Sequence, residues 1–513
     1  MYSTILSGAL LGVNACPVQV EVDVAAGLPT FSMVGSLGGE VREARERVWA
    51  ALKNAGLEIP PMRITVNLSP GDIRKEGTAF DLPIAMGLLE ALSYFPTGRL
   101  QNTLLLGELG LNGEIRKVKG VLPIVRKAAQ LGIGECIVPR ENVREAAVIS
   151  DIRVRGASDI SEILTYLQAK EEERERVLPV AGIKEEELPE TGGLSEENDF
   201  AQVKGQEMAK RAAEIAAAGF HNLLMTGPPG AGKSMIAKCI PGIMPPLTKE
   251  ERLEVTSVYS VAGLLGDGGL IKKRPFQSPH HTISPAALMG GGTVPRPGVI
   301  SLSHRGVLFL DELPEFPGNV LNSMRQPLEE RRIQLVRVGG NLVYPADFML
   351  VGAMNPCPCG YYPDRNRCRC SIPQIKHYMG KISGPILDRI DLCVELQRVG
   401  IEKIQQRKGG ESSEVIRLRV LEARQRQKVR FRDSEYRFNG DIKAKDMERY
   451  CRLGKEELGC MEELYRTMEL SARAYHRIVK VARTIADLAG AAQIGAEHLL
   501  EAACYRTSQD YWL

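Results

Sequence analysis

The period of apolar and polar positions changes several times along the chain. "VQVEVDVA", Val18 to Ala25, alternates apolar with polar residues, the period of two expected of a half-buried strand. "EVREARERVWAALKNAG", Glu40 to Gly56, shifts to helical spacing and closes on a glycine. Residues 1–169 therefore read as an α+β domain. Residues 170–198, "KEEERERVLPVAGIKEEELPETGGLSEEN", are charged, carry Pro and Gly and lack apolar periodicity, which predicts a linker with weak internal structure at most. Residues 199–400 alternate short apolar runs with helical stretches, the pattern of a parallel-sheet α/β domain, and residues 401–513 are nearly all helical. The expected fold is multidomain α/β.

Length agrees, since 513 residues at roughly 100–200 per domain make about three. Charge is dense but balanced, 66 basic against 63 acidic side chains for a net of +3, so any polyanion contact must be local. The first residues hold an apolar patch without Lys or Arg before it, and no uncharged apolar run reaches the length of a membrane span. Eleven mostly scattered cysteines suit reduced thiols. A cytoplasmic protein without a membrane partner is expected.

Chemistry concentrates in the central domain. "GPPGAGKS", Gly227 to Ser234, follows an apolar strand candidate (Leu223 to Met225) and precedes a helix, the context in which this spacing binds a nucleotide. Gly227, Pro228, Pro229, Gly230, Ala231 and Gly232 form the loop whose backbone N–H groups curl around phosphates. Lys233 is expected to reach the β/γ-phosphates of ATP, and Ser234 to ligate Mg²⁺. The strand Val307 to Leu310 ends in Asp311, assigned to the Mg²⁺ shell, and Glu312, assigned to orient the attacking water. A third strand, within Asp347 to Pro356, ends in Asn355, whose amide suits a γ-phosphate or that water, and Arg389 precedes a fourth apolar run.

These elements in this order resemble an AAA+ ATPase. Asn355 falls at the sensor 1 position, Arg389 at the arginine-finger position of the magnesium chelatase and MCM helicase relatives, and Arg473, in "LSARAYHRIVKVARTIADLAG", at that of the sensor 2 arginine. Arg477, Lys480 and Arg483 in that stretch read as an amphipathic basic helix. A finger acts on the neighbouring subunit's nucleotide, so the resemblance implies a homo-oligomer, usually a hexamer. With the insert "RPFQSPHHTISPAALMGGGTVPRPGVISLSHRGVLFLDELPEF", Arg274 to Phe316, nearly the whole chain resembles the YifB/ComM family of magnesium chelatase-like ATPases. That family implies a DNA motor driving branch migration during natural transformation. Within the insert, His280 and His281 have no Cys or carboxylate close by in sequence, so hydrogen bonding is expected of them rather than metal binding.

The first domain resembles the Lon-type protease fold. Lon-type catalysis needs a serine activated by a lysine. Aligning the motifs puts Ala79 at the serine and Leu122 at the lysine, so no peptidase activity is expected even with Thr78 adjacent. A scaffold for ring assembly or for holding DNA is the expected role. "RRIQLVRVGGNLVYPADF", Arg331 to Phe348, predicts a hairpin turning at Gly339-Gly340-Asn341, where MCM-type helicases carry a hairpin that enters the central channel. Arg337 and Asn341 are the expected DNA contacts, sequence-independent and salt-sensitive, on branched, single- or double-stranded DNA. The basic stretch Arg417 to Arg432 reads as a solvated helix face.

Two C-x-C pairs, Cys357, Cys359, Cys368 and Cys370, grow out of the sensor strand. Structural Zn²⁺ is the leading reading, with free thiols or a redox pair as alternatives, and the loop's Arg365, Arg367 and Arg369 are candidates for partner, subunit or DNA contact. Two functions compete: an ATP-driven DNA helicase or translocase, and a protein-remodelling AAA+ ATPase of the chelatase-subunit or MoxR chaperone type.

Overall fold

The computed structural model describes residues 1–182, 198–266, 269–292, 294–337, 340–402 and 410–506. Its first domain is built on a seven-stranded mixed sheet in the order Thr30–Val34, Arg63–Ser69, Asn14–Ala25, Tyr2–Leu11, Thr103–Leu105, Glu135–Pro139, Arg153–Ala157. The predicted alternation is present: Val18, Val20, Val22 and Val24 are buried while their neighbours face outward. Helix Asp81–Ala91 is buried along its whole length against the two long strands, which explains why its sequence shows no polar face. The helical pattern at Glu40 to Gly56 is realised as two helices, Gly39–Arg42 and Ala44–Asn54.

The expected linker is only partly one. Helix Glu171–Val177 folds back on the first domain, Leu178 is fully buried in its core, and Val180 bridges to Arg155. Buried Arg155 supplies the anchor, pairing with Glu175 at 3.0 Å and donating to the Leu178 carbonyl. Charge density hid Leu178 and the packing of Val177 and Ala181 near it, while Arg155 binds the segment from the sheet. The rest of the expected linker, residues 183–197, lies outside the described residues.

The central domain is a five-stranded parallel sheet in the order Phe276–Gln277, Val307–Leu310, Met349–Met354, Leu223–Thr226, Leu392–Glu395. The Val307–Leu310, Met349–Met354 and Leu223–Thr226 strands are buried along their whole length, as expected of parallel strands covered on both faces. One face packs on helices Glu207–Gly219 and Lys233–Ile243 and continues into the helical third domain, whose core helices are Ser413–Arg430, Ala472–Leu488 and Ala496–Cys504. Asp199 ties the two regions: its carboxylate accepts from the N–H of Ala201 and the N–H of Ser413, both at 2.8 Å.

Some of the helical domain's basic residues are turned inward, whereas Arg417, Lys428 and Arg432 are exposed as the solvated-face reading expects. Arg477 is buried and donates to the Ile390 carbonyl at 2.8 Å, Lys480 donates to the Gly440 carbonyl, and Arg483 pairs with buried Asp487. Several of the basic residues from Arg417 to Arg432 are committed too: Arg419 bonds Glu411 and Glu214, Arg424 lies over the Phe438 ring, and Arg430 forms a fork with Asp487. Buried charges need partners, so these arginines act as internal braces. The first domain meets the central one along helix Lys249–Ala262, where the Ser260 hydroxyl donates to buried Glu145, whose carboxylate also accepts from the Leu122 N–H at 2.9 Å. No helix among the described residues is long and apolar enough to cross a membrane.

Candidate nucleotide site and its two halves

The loop between strand Leu223–Thr226 and helix Lys233–Ile243 is shaped by glycine where no side chain fits. A Cβ on Gly227 would lie 2.5 Å from the Leu396 carbonyl oxygen, and the Gly227 N–H is bound to the Met354 carbonyl. Gly230 and Gly232 have φ of +75° and +93°, and nothing lies within 4 Å of where their Cβ atoms would be. The result is an open backbone cradle at a helix N-terminus, which suits phosphate oxygens.

The polar groups around this cradle already bond one another. The Lys233 ammonium donates to the carbonyls of Gly227 (2.5 Å) and Pro228 (3.1 Å) and to Asn355 Oδ1 (3.1 Å). Burial lowers its pKa, with Asp311 and Glu312 acting the other way. The Ser234 hydroxyl donates to Asp311 Oδ2 at 2.7 Å. Ser234 and Asp311 offer an oxygen pair of the kind that can hold Mg²⁺, and Lys233 and Asn355 offer a cation and an amide of the kind that can meet phosphate oxygens. The sequence expected these residues together, and the fold brings them side by side as two hydrogen-bonded pairs, Lys233 with Asn355 and Ser234 with Asp311.

Glu312 departs from expectation in its partner. Its backbone is left-handed (φ 52°, ψ 46°), which turns the carboxylate out of the strand direction, and His281 Nδ1 lies 3.5 Å from it. The neighbouring ring of His280 lies tilted by 34° against His281 with centroids 4.1 Å apart, and His280 itself bonds the Thr282 hydroxyl at 2.9 Å. Hydrogen bonding therefore describes His280, whereas His281 faces the residue assigned to water activation. Sequence spacing carried no sign of this, because the two are joined only through the sheet.

Arg389 and Arg473 lie elsewhere. Strand Leu392–Glu395 runs parallel to and in register with Leu223–Thr226, so Arg389 precedes the strands while the phosphate loop follows them. Four residues at about 3.3 Å each separate the two ends by about 13 Å. Arg389 pairs with Glu329, and Arg473 reaches Asp388 at 3.0 Å, so both arginines border one cavity of about 340 Å³ between the central and helical domains. Burial, then the cations Arg473, Arg477 and Arg325, push the Arg389 guanidinium below its ordinary pKa.

The four thiols of the C-x-C pairs converge. Cys357 lies 3.3 Å from Cys359 and 3.7 Å from Cys368, Cys359 lies 3.6 Å from Cys368, and all four sulfurs are within 4.8 Å of one another. A tetrahedron with Zn–S bonds of about 2.3 Å has edges of about 3.8 Å, so the set fits a single ion. The expected DNA hairpin forms from strands Arg332–Arg337 and Gly340–Pro345, with Arg337 paired to Gly340 and Val336 to Asn341. Gly340 and Asn341 thus belong to the second strand and not to the turn: antiparallel pairing extends further than the glycine signal suggested. Asn341 is exposed, and the side chain of Arg337 lies outside the described ones. In the first domain Thr78 donates its hydroxyl to Glu108, and Leu122 is buried, so neither supplies the missing dyad.

Comparison with known proteins agrees with this division. The family described as magnesium chelatase, subunit ChlI, matches residues 199–404, a second description of that subunit matches 20–142, and its C-terminal part matches 410–506. The chain is 42% identical over 505 residues to the competence protein ComM of Haemophilus influenzae, covering 98% of this chain and 97% of that protein. It is 40% identical over 506 residues to the uncharacterized protein YifB of Escherichia coli, covering 98% and 97%. The magnesium-chelatase 67 kDa subunit of Chlorobaculum parvum matches at 27% over 161 residues, 31% of this chain and 23% of that subunit. Three-domain architecture, phosphate cradle and full-length similarity together assign the chain to the magnesium chelatase-like AAA+ ATPases of the YifB/ComM family.

Proposed function

We propose that this AAA+ ATPase is a ring-forming DNA motor, a helicase or translocase that promotes branch migration of recombination intermediates in the cytoplasm. One observation carries the ring: the phosphate cradle and the Arg389/Arg473 pair occupy opposite ends of the same sheet. In this reading the two arginines serve the nucleotide of a head-to-tail neighbour and not their own chain's, and such contacts close into rings when the rotation permits. A hexamer is the expected closure.

In this reading the loop from Gly227 to Ser234 binds the phosphates, Lys233 balances β/γ charge, and Ser234 and Asp311 hold Mg²⁺, whose bound charge neutralises the phosphate oxygens. Glu312 orients water for in-line attack, Asn355 positions it against the γ-phosphate, and Arg389 and Arg473 of the neighbour stabilise the charge that develops. The four-cysteine knuckle holds structural Zn²⁺. Similarity over the whole chain to a competence protein supports DNA as the polymer moved, with Arg337 and Asn341 as its contacts. Such contacts read backbone phosphate and not base sequence.

The test is ATP hydrolysis by the full-length protein with and without a mobile four-way DNA junction, alongside junction movement. Stimulated turnover with strand exchange is expected. A second reading has an observation of its own, the partial match to a magnesium-chelatase subunit, and makes this a protein-remodelling ATPase. That reading predicts turnover indifferent to DNA.

A further inference from the structure

The four-thiol knuckle is packed into the nucleotide site, and Gly360 is the point of contact. Gly360 has φ of +83°, and a Cβ there would lie 2.5 Å from Pro229 Cδ of the phosphate loop and 3.8 Å from the Asn355 side chain. A glycine in the middle of the knuckle thus touches both the loop that would hold phosphates and the amide that bonds Lys233. Within the knuckle the Gly360 N–H donates to the Cys357 carbonyl at 2.9 Å, the Tyr362 N–H approaches Cys357 Sγ at 3.4 Å, and the Cys368 N–H donates to the Asp364 carbonyl at 2.8 Å. Cys357 and Cys368 are buried in the core that also contains Leu224 and Met354 of the central sheet.

We propose that a single zinc ion bound by Cys357, Cys359, Cys368 and Cys370 is a wall of the nucleotide site, holding Gly360 against Pro229 and Asn355 against Lys233. The inference rests on the assignment of the cradle to ATP but not on DNA as the polymer. Four soft thiolates at the edge lengths of one tetrahedron select zinc among common cytosolic ions and leave no open position for water, so the ion's role is mechanical. Without it, mutual repulsion of thiolates and loss of four bonds would free the turn that carries Gly360. The phosphate loop would then lose the side that Pro229 leans on.

The experiment uses the full-length chain purified without added metal. Elemental analysis is expected to find one zinc per chain, released when the thiols are titrated with an organomercurial and a chromophoric chelator captures the ion. Affinity for a fluorescent ATP analogue with Mg²⁺ is expected to fall about tenfold on release, the loss of roughly one charge-assisted hydrogen bond, and to recover when thiol is restored and zinc returned. Gly360→Ala is the second variant, since it keeps all four thiols and wedges the turn off Pro229: zinc is retained and nucleotide affinity falls. Absence of stoichiometric zinc overturns the site. Zinc present, with affinity unchanged in both the stripped protein and Gly360→Ala, overturns the coupling. A zinc-dependent affinity in a protein whose turnover ignores DNA would sink the motor reading and leave this inference standing.

Discussion

His281 Nδ1 stands 3.5 Å from the carboxylate of Glu312, the residue proposed to orient the attacking water. The insert that carries His281 therefore touches that carboxylate directly, and in the proposed role this contact restrains the orientation that hydrolysis needs. An exposed pair of this kind contributes about 0.5–1 kcal/mol. His281→Ala is expected to raise DNA-independent kcat by about 2–5-fold with KM unchanged, read by steady-state ATP hydrolysis. A kcat that stays constant or falls would contradict the restraint.

Lys233 and Glu312 should separate binding from chemistry. Lys233→Ala removes a charge that meets phosphate directly, and nucleotide affinity should weaken by about 10- to 100-fold. Glu312→Gln keeps the shape but cannot act on water, so binding should survive while turnover drops by at least about 100-fold. Equilibrium binding of a fluorescent nucleotide beside single-turnover hydrolysis distinguishes the two.

Placement of Arg389 at the far end of the sheet predicts complementation between subunits. Arg389→Ala alone should lose on the order of 10³-fold in turnover, while Lys233→Ala, assayed at ATP well below its weakened affinity, should hydrolyse little because its own cradles stay unfilled. Mixed one to one, the two inactive variants should recover about a quarter of wild-type activity, because that fraction of interfaces joins an intact cradle to an intact arginine. No recovery after verified mixing would mean that the arginine works within its own chain.

Acid should loosen the junction between helix Lys249–Ala262 and the Asp311 strand. Burial opposes the charge on Glu254, but His304 (3.3 Å) and Arg305 (2.9 Å) outweigh it, holding its carboxyl at about 2 against 4.5 when free. Arg437 faces the same carboxylate at 3.8 Å. A depressed pKa stabilises the folded state fully above pH 4.5 and progressively less as pH falls toward 2, by on the order of 3 kcal/mol in total. Glu254→Gln should lower the unfolding midpoint at pH 7 and flatten its decline between pH 5 and 3, measured by urea or thermal unfolding.

Much of the ATP site could be read from the chain because each part is a local instruction. Gly230 and Gly232 permit a left-handed loop, Lys233 and Ser234 follow at the helix start, and the short apolar run "VLFL" suits a strand covered on both faces. The segment around Leu178 was misread for the same reason in reverse, since charge over many residues outweighed the few apolar residues and the distant arginine that dock it. In the helical domain, sequence showed that arginines share a helix but not that Asp487 lies among them as their buried counter-charge.

By itself, then, the amino-acid sequence determined the alternating strand at Val18 to Val24, the buried strand Val307–Leu310 and the glycine loop that opens the Lys233 helix. All three depend on residue type at short spacing, where covalent connection already sets the geometry. Only the tertiary structure decided which distant residues meet. It put His281 on Glu312, Gly360 on Pro229, and Arg473 beside Asp388, a partner 85 residues away. Sheet order and strand register make those contacts, and they arise from burying whole faces together, an outcome no short window of sequence encodes.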